Sequence, residues 1–141
     1  MSFGDSISAF MRRLGAGDRV FVILSEKYLR SPYCMFELSE IWRNCRQEGV
    51  AFRERVVVWA LPDAQVWTPL EWTDWAIHWK QEHAALDNRA RDHGADILGE
   101  SGQRRLMQMQ RFWTQVADML ANLADGVQPQ TLEDIVAHGL R

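Results

Sequence analysis

Two apolar runs on either side of one helical stretch set the possibilities for this chain. Residues 20–24 read Val-Phe-Val-Ile-Leu, and residues 55–61 read Arg-Val-Val-Val-Trp-Ala-Leu. Both are rich in β-branched residues, as strands covered on both faces are. Between them, Ser31 is a good N-cap and Pro32 suits a first helical position. Cys34, Leu38, Ile41 and Cys45 then recur at helical spacing. Strand, helix and strand in this order form a βαβ unit, for which parallel pairing with a right-handed crossover is the expectation.

The helix over 32–46 carries one carboxylate in an unusual place. At about 100° per residue, Glu37 falls roughly 70° from the centre of the apolar stripe and Glu40 roughly 130° away. Glu40 reads as solvated surface. Glu37 reads as a carboxylate at the edge of the core, close to a helix N-terminus that follows a strand. The plain alternative is a half-exposed helix carboxylate in an ion pair. Ser25 stands at the end of the first strand and terminates it or caps a turn. Tyr33 is a rim aromatic or a stacking surface.

The chain has 141 residues, which suits one domain. Residues 1–66 hold the βαβ portion and 67–141 a helical part. No apolar run reaches the ~20 residues of a membrane span, and the first residues, Met-Ser-Phe-Gly-Asp, lack the regions of a secretory signal. A net charge of −3 with scattered signs leaves no basic footprint for nucleic acid. Cys34 and Cys45, eleven helical positions apart, are separated by about 16 Å and cannot pair. They read as buried thiols of a reduced, cytoplasmic protein, and Cys34 as packing rather than as a nucleophile. His78, His83, His93 and His138 have no zinc-ligand spacing. Trp59, Trp67, Trp72, Trp75 and Trp79 crowd one region, which points to a single large aromatic cluster.

Elsewhere the periodicity is helical. Ile7, Phe10, Met11 and Leu14 mark an amphipathic helix ended by Gly15 and Gly17. Thr73 caps a helix reaching about residue 90, and Gly94, Gly99 and Gly102 mark a break. A long helix over 103–123 turns Leu106, Met109, Phe112 or Trp113, Val116 and Leu120 inward. A short helix over 131–138 closes the chain. Only two strands stand out, and two parallel strands make no stable sheet alone. The expectation is therefore the later part of an α/β domain, with strands supplied by another chain as the alternative.

At this point residues 5–61 resemble a bacterial TIR (Toll/interleukin-1 receptor-like) domain. The match rests on Ser31-Pro32-Tyr33-Cys34-Met35-Phe36-Glu37-Leu38, which is similar to the family's Ser-x-Trp-Cys-x-x-Glu-Leu segment, with Tyr33 in place of Trp. The strand 20–24 followed by Ser25, and Tyr28 three residues on, resemble the family's third strand and its end. Gly4, Asp5 and Ser6 resemble the end of the BB loop, and 55–61 the fourth strand. The family's first strand, helix and second strand have no counterpart. The resemblance implies a flavodoxin-like TIR fold with a parallel sheet, N-terminally incomplete and followed by a helical C-terminal extension.

The resemblance also implies chemistry. Many TIR domains cleave NAD+ at the nicotinamide–ribose bond, often in antiphage defence. Glu37 would be the catalytic carboxylate, with Tyr33, Ser25 and Tyr28 around the substrate. Gly4, Asp5 and Ser6 would serve TIR–TIR self-association. NAD+ is then the substrate, with no cofactor and no metal, and neither nucleic acid nor membrane is a partner. The alternatives are a TIR–TIR interaction module without activity, or an inactive truncated TIR fragment.

Overall fold

A computed structural model of the chain describes residues 10–14 and 17–126. Three strands form one sheet in the order β1-β2-β3, with β1 at Phe10–Leu14, β2 at Gly17–Leu24 and β3 at Val56–Ala60. The helices are α1 (Glu26–Arg30), α2 (Pro32–Asn44), α3 (Gly49–Arg55), α4 (Pro69–His93), α5 (Gly99–Phe112) and α6 (Val116–Gly126). Single 3-10 turns at Ala95–Leu98 and Trp113–Gln115 flank α5. The class is mixed α/β.

β2 and β3 pair in parallel, with Val20 opposite Val56 and Leu24 opposite Ala60. Both strands are covered on both faces, as their apolar runs require. Val20, Val22, Leu24, Val56, Val58 and Ala60 belong to the main core, while Phe21 and Trp59 form a small second cluster. Side chains of adjacent strand residues point to opposite faces, so one sheet supplies both clusters.

The third strand corrects the sequence reading. In place of an amphipathic helix, residues 10–14 pair antiparallel with β2, Phe10 opposite Phe21 and Leu14 opposite Gly17. A helix this short is marginal by itself. As a strand, the same residues satisfy backbone groups along the otherwise open edge of β2 and complete a sheet that two strands could not sustain. The sheet is thus mixed rather than purely parallel.

The pivotal helix begins as its sequence indicates. Pro32 occupies the first turn, and the Ser31 hydroxyl accepts a hydrogen bond from the Cys34 amide at 3.1 Å. It stops at Asn44, short of residue 46. Arg46 and Gln47 both adopt positive φ, 57° and 56°. The Gln47 amide bonds back to the Trp42 carbonyl and that of Arg46 to Arg43, closing the helix in a Schellman-type turn. The chain then forms α3, capped by the Glu48 carboxylate on the amides of Val50 and Ala51.

α4 starts earlier than expected. Thr68, not Thr73, is the N-cap, and Glu71 completes a capping box with Pro69 in the first turn. The Thr73 hydroxyl instead donates to the Pro69 and Leu70 carbonyls inside the helix. Gly94, at φ 91°, ends α4 as its sequence suggests. The long helix expected over 103–123 is two helices, α5 and α6, joined by the turn at Trp113–Gln115. Not all of its expected inward residues are buried, since Leu106 is only half-buried. Met109, Phe112, Val116 and Leu120 are buried, and Trp113 is only half-buried.

The tryptophans do not form one cluster. Trp79 is buried and its indole N–H donates to the Leu29 carbonyl at 3.1 Å, while its ring meets Phe112 edge-on at 5.0 Å. Trp72 and Trp75 pack on the same core. Trp59 lies in the second cluster, and Trp67 is 46% exposed. The helix expected over 131–138 lies outside the described residues.

Candidate functional site

The sequence-derived site residues gather where β2 ends. Ser25 follows the last residue of β2 in extended backbone and caps α1, its hydroxyl accepting a hydrogen bond from the Tyr28 amide at 3.0 Å. This cap fixes the five-residue α1 and turns Tyr28 and Leu29 into the core. Ser31 ends α1 and at once caps α2, so the two helices share a corner. That corner brings Tyr28 of α1 near Cys34 and Glu37 of α2.

Two oxygens at this corner are orphaned. The Tyr28 hydroxyl and Glu37 Oε1 are both buried and make no hydrogen bond among the described residues. Burial raises the Tyr28 phenol well above its ordinary pKa, and the neighbouring Cys34 and Glu37 raise it further. The phenol therefore stays protonated at neutral pH. Glu37 is half-buried as a residue and makes no ion pair among the described residues. Glu40 does pair, with Arg111 at 3.2 Å. A buried carboxylate oxygen without a hydrogen-bond donor is costly unless something else meets it.

The other expected residues are less closely tied. Tyr33 is 45% exposed at the start of α2. Gly4, Asp5 and Ser6 lie outside the described residues. Among the described residues no group of three or more His, Cys, Asp or Glu side chains is placed to hold a metal ion, and no helix is long and apolar enough to cross a membrane.

The sequence reading missed a cleft at the carboxyl ends of the parallel strands. It has a volume of about 310 Å³ and is lined by Glu26, Arg30, Asp63, Glu71, Asp74 and His78, with Gln65 and the Trp75 ring. The Glu26 amide donates to Asp63 Oδ1 at 3.2 Å, tying the chain after β2 to the chain after β3. Parallel pairing makes such ends neighbours, and open α/β sheets place ligands there. The only signal in the sequence was Pro62-Asp63 directly after the second strand. His78 sits edge-on between Trp75 and Trp79. Burial lowers its pKa, with Glu82 opposing and Arg30 adding to the shift, so the imidazole is neutral at pH 7. Neither Glu37, Tyr28, Tyr33 nor Ser25 lines this cleft.

No family model matches the chain, and neither a curated protein nor a solved structure does so.

Proposed function

We propose that the chain is a TIR-type NAD+ glycohydrolase fold portion in which Glu37 acts on the ribose of NAD+. The observation that carries this reading is the buried, unpartnered Oε1 of Glu37 beside the buried phenol of Tyr28. The Ser-Pro-Tyr-Cys-Met-Phe-Glu-Leu segment, 31–38, adds the family resemblance. A carboxylate oxygen held without a donor is suited to meet a cation that arrives with the substrate.

The chemistry asks little else of the protein. The bond between the ribose anomeric carbon and the pyridinium nitrogen breaks, and its electron pair stays on nicotinamide, which leaves neutral without a general acid. Positive charge develops on the ribose as an oxocarbenium ion, as in glycoside cleavage. Glu37 stabilises that charge and orients the ribose hydroxyls. Water adds at the anomeric carbon and loses a proton, leaving ADP-ribose. Tyr28, protonated and buried beside the carboxylate, adds no negative charge there, and Tyr33 offers its exposed ring to a base.

The test is nicotinamide release from NAD+ by concentrated protein, comparing wild type with Glu37→Gln and Glu37→Ala. A loss of at least ~100-fold in both variants, with folding intact, supports the reading. Equal rates in all three remove Glu37 from the chemistry.

A second reading is a TIR–TIR interaction module without activity. It is favoured by the absence of Glu37 from the cleft at the strand ends and by the 45% exposure of Tyr33. Concentration-dependent self-association lost on Tyr33→Ala, with no nicotinamide released, is the outcome that selects it.

A further inference from the structure

A second cleft, of about 390 Å³, lies between α4 and α5 beside the α1–α2 corner. Its walls carry Arg30, Arg89 and Arg105, and a single carboxylate, Glu82. That carboxylate stands 4.0 Å from His78 Nε2. Arg30 is already engaged, with Glu26 at 3.1 Å and over the Trp75 ring at 5.3 Å. Arg89 and Arg105 form no ion pair among the described residues. Neighbouring arginines on the same helices do pair, Arg91 with Asp87 and Arg104 with Glu100. Apart from His78, the remaining lining is apolar and includes Pro32, Trp79, Leu86 and Met109.

This is a local excess of positive charge in a chain whose net charge is −3. Like charges gathered around a concavity raise its potential and draw an anion in. Guanidinium groups match phosphate oxygens with two parallel N–H bonds each, which a lysine cannot do. The apolar floor gives a ring or sugar something to cover, and the volume is in the range of small-molecule sites. We propose that this cleft binds a phosphorylated small molecule of nucleotide size, its phosphates on Arg89 and Arg105 and its organic part against Leu86 and Met109. The site is separate from Glu37 and does not depend on the activity proposed there.

Calorimetric titration of the full chain with ADP, inorganic pyrophosphate and adenosine tests this. ADP is used rather than NAD+ so that cleavage at Glu37 cannot affect the outcome. ADP is expected to bind, and Arg89→Ala with Arg105→Ala to weaken it at least ~tenfold, a difference of one decade in Kd. Arg91→Ala, on the same helix but already paired with Asp87, is expected to leave Kd unchanged within ~twofold. Adenosine is expected to bind at least ~tenfold more weakly than ADP, and raising the salt concentration to weaken ADP further. Failure of ADP to bind overturns the proposal, as does equal affinity of the double variant. Pyrophosphate binding as tightly as ADP would overturn the role given to the apolar floor. All three arginines being substituted are exposed or near-exposed, so circular dichroism of each variant should match wild type.

Discussion

The Tyr28 hydroxyl and the Glu37 carboxylate, carried on consecutive helices joined by Ser31, are both buried at an oxygen that makes no hydrogen bond among the described residues. Burial raises the Tyr28 pKa and the neighbouring Glu37 adds to that shift, so the phenol stays protonated beside the carboxylate. Such a pair is a poor structural choice and a reasonable ligand-facing one.

Tyr28→Phe separates those roles. Removing an unpartnered buried hydroxyl from a well-packed ring is expected to leave stability unchanged or raise it by up to about 1 kcal/mol. The same variant is expected to raise KM for NAD+. Urea unfolding and steady-state kinetics on one preparation check both parts. A loss of stability above about 1 kcal/mol would mean that the hydroxyl is partnered in the folded protein.

Trp79→Phe is expected to destabilise strongly. It removes the hydrogen bond to the Leu29 carbonyl and part of the edge contact with Phe112. The lost bond and the cavity together are expected to cost about 2–4 kcal/mol. The midpoint of urea unfolding reads the loss directly.

Glu48 gives a pH signature. Hydrogen bonds from the Ala51 and Val50 amides lower its pKa below 4.5, with a smaller contribution from Arg53 and burial opposing. A carboxyl whose folded pKa is depressed stabilises fully above its unfolded pKa and loses that contribution as pH falls through the folded value. Glu48→Gln should therefore melt below wild type at pH 7. The two Tm values should converge as the pH falls from 4.5. A gap that stays constant down to pH 2 would show that charge is not the source.

Arg46 and Gln47 end α2 with positive φ, a region that L side chains with a Cβ enter at a cost. Arg46→Gly and Gln47→Gly are each expected to stabilise by about 0.5–1 kcal/mol, because glycine takes that conformation freely. Thermal melts check this. A loss in both variants would mean that the side chains, not the backbone, hold the turn.

Much of this architecture was written in local sequence. The apolar runs of β2 and β3, the Ser31-Pro32 start of α2 and the glycine end of α4 each depend on residues a few positions apart, so they can be read without the fold. The position of Glu37 at the edge of the core also follows from helical period alone. Other features depend on contacts between distant residues. Residues 10–14 have a helical pattern, but the open edge of β2 recruits them as a strand. Trp59 is separated from Trp79 because strand alternation sends it to the far face of the sheet. The cleft at Glu26 and Asp63 exists because parallel pairing joins two chain segments 37 positions apart. The orphaned oxygens of Tyr28 and Glu37 are tertiary in the same sense. Periodicity places a carboxylate near a core, but only the packed α1–α2 corner decides which donors reach it.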